Sequence, residues 1–455
     1  MKTKALVLAA GQGTRMKSNG SKVLHKVLGK SLVEYPILAA KHIGVEDICL
    51  IVGHKAEDVK AALGESVSYV LQKEQLGTGH AVMQASDFIA DADEVMILCG
   101  DTPLITAETL KKMLDFHRQK ENSVTVLSTF MEEPTGYGRI VRSESGNMLK
   151  IVEQKDASEE EKRINEINGG IYTFDGKLLQ YALSKLTNNN AQGEYYLTDT
   201  IEILLAEGHK VDAIAIEESD DIAGVNSRIQ LASVTQVMKK RINEKHMANG
   251  VTIVDPSSTY IEPDVVIGKD TIIEPGCMLQ GKTTIGEGCR IGYHTKLTNM
   301  TIKDYVDIEI SVLTDSFVGE GTHVGPFAYV RPNSHIGKNI KVGDFVEVKN
   351  ATIGDGTKIA HLTYVGDADV GEKVNFGCGT VVVNYDGEKK HRTTIGNNAF
   401  IGCNTNLVSP VVVEDNAYTA AGSTITSTVP ENSLAIARAR QENKADWVLK
   451  NRSKK

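Results

Sequence analysis

The sequence has few cysteines, and their spacing excludes two common kinds of protein. Six cysteines are spread over 455 residues, and no two of them form a CxxC pair. Structural zinc sites and the disulfide frameworks of small secreted proteins both need cysteines at short, regular spacings. We therefore exclude a zinc or disulfide framework and expect reduced thiols in a cytoplasmic protein.

Long apolar runs are also missing. No apolar stretch approaches the roughly 20 residues that a membrane-spanning helix needs, so we expect no membrane insertion. The first residues, Met1-Lys2-Thr3-Lys4, lead directly into a strand-like run. They lack the pattern of a cleavable secretory signal, which again favours the cytoplasm.

The chain as a whole lacks excess positive charge. Lys and Arg total 50 against 59 Asp and Glu, a formal net charge of −9. Proteins that bind nucleic-acid backbones are usually basic, so we expect no nucleic-acid partner. The C-terminal tail has the opposite sign and contains Arg438, Arg440, Lys444, Lys450, Arg452, Lys454 and Lys455. Charge alone leaves open whether this tail is merely solvated or functional.

A six-residue repeat of aliphatic residues dominates residues 266–425. It runs through Ile267, Ile273, Leu279, Ile285, Ile291 and Leu297 and, after a break, through Val318, Val324, Val330, Ile336, Val342 and Val348, then on to Ile425. The position four after each aliphatic is small or β-branched, as at Cys277 and Thr283. A helix cannot keep this period, whereas a short strand plus a corner can. We predict a narrow solenoid with these two positions inside and the others outside.

The repeat is interrupted by a thirteen-residue excess between Phe376 and Ile395. This segment contains Val383-Asn384-Tyr385-Asp386-Gly387 and the basic run Lys389-Lys390-His391-Arg392. Long insertions in solenoids commonly carry function, so we expect this one to do so.

The N-terminal half alternates predicted strands with helical patterns. Strands are predicted at residues 4–10, 48–52, 95–98, 123–128, 170–174 and 211–216, with helices at 107–119 and 198–207. This order indicates a mostly parallel, Rossmann-like α/β sheet that binds ligands beyond the carboxyl ends of its strands. We predict an α/β domain at 1–225, a linker helix at 226–250 and the solenoid at 251–455.

The first predicted strand opens into a glycine-rich turn, Gly11-Gln12-Gly13-Thr14-Arg15-Met16. Such turns bring backbone N–H groups close to phosphates. The turn matches neither GxGxxG nor the Walker A pattern. Arg15 and Lys22 add cations that suit a polyphosphate, and Asp101 follows a strand where a carboxylate suits Mg²⁺. From position alone, a second interpretation stays open, in which Asp101 caps the next helix.

At this point a resemblance becomes specific. The run Leu8-Ala9-Ala10-Gly11-Gln12-Gly13-Thr14-Arg15-Met16, together with Gln72, Gln75-Leu76-Gly77-Thr78-Gly79-His80-Ala81 and Gly100-Asp101-Thr102-Pro103-Leu104, resembles the motifs of sugar-nucleotide pyrophosphorylases. With the repeats, the whole chain resembles the bifunctional N-acetylglucosamine-1-phosphate uridylyltransferase and glucosamine-1-phosphate N-acetyltransferase family. The resemblance implies a left-handed β-helix and a homotrimer. Ser21 departs from the family, which usually has proline there.

The resemblance implies a first site for UTP and the sugar phosphate. The nucleotide-sugar product would contact Leu8, Ala9, Ala10, Gly11, Lys22, Gln72, Gly77, Thr78, Gly138, Glu153, Asn168 and Asn226. Asp101 and Asn226 would hold Mg²⁺, and Arg15 and Lys22 would act in catalysis by neutralising phosphate charge.

A second site is implied on the outside of the solenoid. By register alone, His361 and its neighbours Arg331, Lys349, Tyr364 and Asn375 point away from the core. The resemblance makes His361 the base of acetyl transfer and gives the other four to glucosamine-1-phosphate. Acetyl-CoA would contact Cys378, Asn384, Tyr385, Cys403, Ala421 and Arg438, where Cys378 and Cys403 replace the more usual Ala and Ser.

Two other interpretations stay open. One is a single-activity sugar nucleotidyltransferase whose β-helix only forms oligomers. The other is a non-catalytic trimeric scaffold with a nucleotide-sensing head. The cluster around His361 counts against the first, and Lys22, Asp101 and Asn226 together count against the second.

Overall fold

The computed structural model describes residues 1–452. Lys454 and Lys455 of the basic tail therefore lie outside the described residues. The chain divides into two compact units, one spanning Met1–Met238 and one beginning at Lys239. The division falls within a long helix, Arg228–Ala248.

The N-terminal unit alternates strands and helices. Its strands are β1 Thr3–Ala9, β2 Lys26–Val27, β3 Lys30–Ser31, β4 Ile48–Val52, β5 Ser68–Leu71, β6 Glu94–Cys99, β7 Val124–Phe130, β8 Arg139–Arg142, β9 Met148–Val152, β10 Glu166–Asp175 and β11 Val211–Ile216. Its helices are α1 Glu34–His42, α2 Ala56–Leu63, α3 Thr78–Met83, α4 Ser86–Ile89, α5 Ala107–Lys120, α6 Gly176–Lys185 and α7 Asp199–Ala206, followed by α8 Arg228–Ala248. Short 3₁₀ turns lie at Thr14–Met16, Lys22–Leu24, Glu161–Arg163 and Ser219–Ile222.

The predicted mostly parallel sheet is confirmed. Its strand order is β11-β7-β10-β6-β1-β4-β5, and only β10 runs antiparallel to its neighbours along this path. The β8–β9 hairpin is attached to β10. Side chains of β1 alternate between two apolar cores: Leu6 packs on one side and Val7 on the other. Both faces are thus covered, and the loops that leave β1 and β6 emerge at the same edge.

The C-terminal unit is a coil of three parallel sheets, in which each strand up to Asn406–Val408 that has a following partner pairs with the third strand after it. The first face comprises Thr252–Ile253, Ile272–Ile273, Arg290–Ile291, Asp307–Ile308, His323–Val324, Lys341–Asp344, Lys358–His361, Asn375–Phe376, Phe400–Ile401, Tyr418–Thr419 and Leu434–Ala435. The second comprises Tyr260–Ile261, Met278–Gln280, Lys296–Thr298, Val312–Thr314, Tyr329–Val330, Glu347–Lys349, Tyr364–Gly366, Val381–Val383, Asn406–Val408 and Thr424–Ile425. The third comprises Val266–Ile267, Thr284–Ile285, Thr301–Ile302, Phe317–Val318, His335–Ile336, Thr352–Ile353, Ala368–Val370, Thr393–Ile395 and Val412–Val413. A last helix, α9, covers Trp447–Arg452.

The predicted inside and outside positions of the coil are confirmed. The aliphatic positions are buried, as are the small positions four residues later, including Cys277 and Thr283. Three short strands per turn are consistent with a left-handed β-helix, the predicted fold class. Such a coil buries its core only between neighbouring turns, which is why the repeat must persist.

Two details of the predicted repeat are wrong. There is no break after Leu297, because Ile302, Ile308 and Leu313 continue the core at spacings of five or six residues. A corner that is one residue shorter keeps the pairing between strands but interrupts the six-residue period in the sequence. The thirteen-residue excess also contains a regular strand, Val381–Val383, so the inserted loop is confined to residues 384–392.

The coil also continues past Ile425, because Leu434–Ala435 pairs with Tyr418–Thr419. Among residues 1–452, none of the helices combines the length and apolar character needed to cross a membrane.

Candidate active sites

A cavity of about 290 Å³ opens where β1, β5 and β6 end. Its walls come from the segments that follow these strands and from the start of α3. It is lined by Leu8, Ala9, Ala10, Gly11, Lys22, Val23, Gln72, Gln75, Gly77, Thr78, Ala81, Cys99, Asp101 and Glu194. Most of the residues that were predicted to contact the nucleotide-sugar product thus line this one cavity.

Two glycines shape this cavity because a side chain would not fit. Gly13 has φ +62°, and a Cβ there would lie 2.6 Å from Cβ of Lys22. Gly77 has φ +108°, and a Cβ there would lie 2.5 Å from the carbonyl oxygen of Tyr195. Left-handed backbone of this kind is easily adopted only by glycine. The two turns therefore hold the walls of the cavity close together.

Lys22 joins the two predicted metal ligands. Its ammonium lies 2.5 Å from Oδ2 of Asp101 and 3.1 Å from Oδ1 of Asn226. A Cβ at Gly224 would come within 3.5 Å of Nδ2 of Asn226 and 3.9 Å of Oδ2 of Asp101. A carboxylate oxygen and an amide oxygen that converge on one cationic position form a hard donor set. That set suits a Mg²⁺ ion that keeps several of its waters.

The residues predicted for the sugar form a neighbouring cluster outside the cavity lining. Asn168 N–H donates to the carbonyl of Gly138 at 2.9 Å, and a Cβ at Gly138 would lie 3.6 Å from Oε1 of Glu153. Burial raises the pKa of Glu153. The cluster adjoins the cavity through Gly170, whose N–H donates to Asn168 and whose carbonyl accepts from the cavity residue Cys99.

Arg15 is not among the residues that line this cavity and is exposed on the Thr14–Met16 turn. Glu194 is a lining residue that the sequence analysis missed. It belongs to a loop that folds back onto α3, where Gly79 N–H donates to the carbonyl of Tyr195 at 2.8 Å. This contact is long-range, and no local pattern in the sequence marks it.

The second group of predicted residues lies at one corner of the coil. Successive coils are linked there by the backbone bonds Leu362 N to Asp344 O, Gly379 N to Leu362 O, Asn404 N to Cys378 O and Gly422 N to Cys403 O. These bonds stack Asp344, His361, Cys378, Cys403 and Ala421, one from each coil. Arg438 lies beside the last of them, with its Cδ 3.8 Å from where a Cβ of Gly422 would be.

His361 is exposed and has one close polar partner for its ring. Its Nδ1 lies 2.6 Å from Oδ1 of Asp344 on the preceding coil. The sequence analysis missed Asp344. Its position, seventeen residues before His361 and therefore one coil earlier, could have identified it.

The two predicted phosphate-binding cations are each held by a carboxylate. Arg331 lies 2.8 Å from Glu347, and Lys349 lies 3.1 Å from Asp367. The inserted loop reaches this group, since Asn384 donates both to Asp367 and, at 3.3 Å, to the hydroxyl of Tyr364. These contacts bring most of the predicted sugar-phosphate residues together.

The inserted loop also brings Lys390 to this group, although Lys390 was not among the predicted site residues. The neighbouring ammonium of Lys349 lowers the pKa of Lys390. Tyr385 lies on the same loop, is exposed, and donates its hydroxyl to the carbonyl of Gly387. Asn375 is half-buried on the first face, opposite Lys358 in the ladder.

Comparison with known proteins agrees with both units. Residues 4–235 match the Nucleotidyl transferase family, and residues 264–299, 315–350 and 392–427 match the Bacterial transferase hexapeptide (six repeats) family. The chain is similar to proteins named "Bifunctional protein GlmU". Identity is 57% with the relative from Acetivibrio thermocellus, covering 98% of this chain and 97% of the relative. It is 56% with that from Clostridioides difficile, covering 100% and 99%.

The chain belongs to the bifunctional GlmU family.

The departures from the usual family sequence have a structural context in this chain. Ser21 is buried and has φ −63°, the value that proline itself fixes. Cys378 is half-buried and Cys403 is exposed, whereas Cys277 and Cys289 are buried. The serine thus keeps the expected backbone, and the two outer thiols lie on the stack that contains His361.

Proposed function

We infer that the chain is a bifunctional enzyme that makes UDP-N-acetylglucosamine. Its C-terminal unit transfers acetyl from acetyl-CoA to glucosamine-1-phosphate. Its N-terminal unit then transfers uridylyl from UTP to N-acetylglucosamine-1-phosphate and releases pyrophosphate. The observation that supports this most is full-length similarity to bifunctional relatives combined with a polar site in each unit.

In the N-terminal unit, Lys22 lies where a phosphate would enter the cavity between the Gly11–Gly13 turn and Asp101. Its ammonium and the guanidinium of Arg15 neutralise negative charge, while the walls orient the uridine and the sugar. Asp101 and Asn226 would hold Mg²⁺, which when bound stabilises charge on the phosphate oxygens. A phosphate oxygen of the sugar attacks the α-phosphorus in line with the departing pyrophosphate.

In the C-terminal unit, His361 accepts the proton that the substrate amine loses as it attacks the thioester. Arg331 and Lys349 bind the sugar phosphate, because two cations suit a dianion. Acetyl-CoA lies along the outer stack of Cys378, Cys403 and Ala421, with Arg438, Asn384 and Tyr385 at its edges.

Three finer statements belong to the proposal. Mg²⁺ is supported by the hard oxygen donors beside Lys22. A homotrimer is supported by the hexapeptide coil, which exposes the stacked rings of Phe327 and Phe345, 5.3 Å apart. A cytoplasmic location is supported by free cysteines throughout the described residues.

One incubation tests the proposed function against the single-activity alternative. The enzyme is mixed with glucosamine-1-phosphate, acetyl-CoA and UTP, and free CoA, pyrophosphate and sugar products are followed by mass. We expect CoA first and UDP-N-acetylglucosamine at the end. Pyrophosphate release from added N-acetylglucosamine-1-phosphate without any CoA release would favour the alternative.

A further inference from the structure

The pair formed by Asp344 and His361 is built by the coil itself. The two residues are partners in the parallel ladder between Lys341–Asp344 and Lys358–His361. Their predecessors, Gly343 and Ala360, come so close that a Cβ at Gly343 would overlap the carbonyl oxygen of Ala360. The missing side chain lets these coils approach, and the approach puts the carboxylate against the imidazole.

The carboxylate determines which ring nitrogen of His361 carries a proton. The hydrogen bond from His361 holds the pKa of Asp344 below its usual range, so the carboxylate is ionised at neutral pH and can only accept. Nδ1, at 2.6 Å, must therefore be the donor. When the ring is neutral, Nε2 is then left with a free lone pair.

The hydrogen-bonded pair of Asp344 and His361 contributes little to the stability of the fold. The side chain of His361 is 56% exposed and that of Asp344 is 37% exposed, and ion pairs in such positions add little stability. The remaining charged and titratable groups nearby are Lys341 on the coil of Asp344, Lys358 on the strand of His361, and Cys378 one coil further on.

We propose that Asp344 is a positioning residue for acetyl transfer, which holds Nδ1–H of His361 so that Nε2 faces the reaction as the base. The inference rests on the proposed function of this site. As the amine nitrogen bonds to the acetyl carbon, its proton passes to Nε2 and the carbon–sulfur bond breaks. The CoA thiolate leaves and takes a proton from the imidazolium, which Asp344 stabilises while it exists.

Asp344→Ala tests the proposal in the full-length enzyme. We expect kcat for acetyl transfer to fall about tenfold to a hundredfold, with each KM within about twofold of wild type. Asp344→Asn, which keeps an oxygen acceptor without the charge, should recover part of the lost rate.

A nitrogen-15 NMR spectrum of the imidazole reports which ring nitrogen of His361 carries the proton. If Asp344 only stabilised the fold, its removal would leave this tautomer unchanged. We expect the Nδ1–H form of the neutral ring in wild type and a mixture of both forms in Asp344→Ala. The matched control is Asp307→Ala, which removes the carboxylate of another Asp–His pair on the same face, 3.3 Å from His323. That variant should keep acetyl transfer unchanged.

The outcomes separate this inference from the proposed function. If His361→Ala keeps acetyl transfer within about tenfold, the function of the whole site is wrong. If His361→Ala is inactive but Asp344→Ala matches wild type in rate, only the role of Asp344 is overturned. A slower Asp344→Ala enzyme with an unchanged imidazole tautomer also overturns it. Uridylyl transfer should be retained in all variants, and an unchanged thermal unfolding curve shows that the coil itself is folded in each.

Discussion

At the scale of single residues, the backbone conformation of two glycines sets the shape of the first cavity. Gly13 and Gly77 lie in left-handed conformations where a Cβ would collide with a wall of the cavity. Ser21, by contrast, has a backbone that proline could adopt. These facts give two predictions with opposite signs.

Gly13→Ala should damage the nucleotide site. The substitution costs about 1 kcal/mol in backbone strain and pushes Lys22 out of place. We expect a clear fall in kcat/KM for uridylyl transfer with acetyl transfer unchanged, as measured by steady-state kinetics. Gly136→Ala is the control, since Gly136 also has positive φ, at +94°, but no atom within 4 Å of a Cβ. Equal losses in the two variants would show that strain alone, without the collision, matters.

Ser21→Pro should stabilise the N-terminal unit. The native φ of −63° already fits proline, so the substitution mainly reduces the entropy of the unfolded chain. We expect a gain of about 0.4–1 kcal/mol in the free energy of unfolding, measured by denaturant titration. A destabilised variant would mean that the buried serine hydroxyl or its N–H has a necessary partner.

Local motifs in the sequence pointed to several residues that the fold brings together. The glycine turn, Lys22 and Asp101 were all recognisable, and the structure places them around one cavity. Glu194 and Asp344 were not recognised, because their positions depend on chain segments that meet only after folding. Asp344 differs because it lies two residues after the core position Val342, as His361 lies two after Ile359, so the register of the aliphatic residues could have identified it.

At the scale of elements, the strict geometry of the coil made most of its structure predictable. Each aliphatic position is buried because side chains alternate along a strand and each coil repeats the one before. Where a corner loses one residue, as after Leu297, the ladder persists although the six-residue period is lost. The sequence period therefore locates strands reliably, but it cannot distinguish a short corner from a true interruption.

The coil register predicts which cysteines react. Burial raises the pKa of Cys277 to about 11 and that of Cys289 above its usual range, so both should be inert. Cys378 and Cys403 lie on the outer stack beside the proposed acetyl-CoA site. A maleimide should inactivate acetyl transfer, and acetyl-CoA should protect against it.

Peptide mapping gives the decisive result for this prediction. We expect the label on Cys378 or Cys403. Uridylyl transfer should be largely spared, because burial raises the pKa of Cys99, the cysteine in the first cavity, to about 12. Labelling of Cys277 or Cys289 first, in the native protein, would contradict the register.

At the scale of the whole molecule, the C-terminal segment combines a last strand of the coil with the basic tail that follows it. The strand Leu434–Ala435 still pairs with the coil, and Arg438 lies three residues after its end. Composition alone could not decide whether the tail is solvated or functional. The position of Arg438 beside Gly422 and the Cys378–Cys403–Ala421 stack favours a role in binding CoA.

Truncation after Ala437 tests this role without removing the last strand. Loss of one charge-assisted contact should raise the KM for acetyl-CoA about tenfold and leave uridylyl transfer unchanged. Arg438→Ala should reproduce the effect, and Arg440→Ala, a change in the same tail, should not. Unaltered acetyl-CoA kinetics in the truncated enzyme would show that the tail is merely solvated.

The central claim is that two independent active sites share one chain, and separate inactivation tests it most directly. Asp101→Ala, with Asn226→Ala as a second variant, should abolish pyrophosphate release while CoA release stays nearly intact. His361→Ala should do the reverse, with a loss of about 10²–10⁴ in acetyl transfer because a general base is removed. If one variant removes both activities while the protein remains folded, or if His361→Ala still acetylates within about tenfold of wild type, the account is wrong.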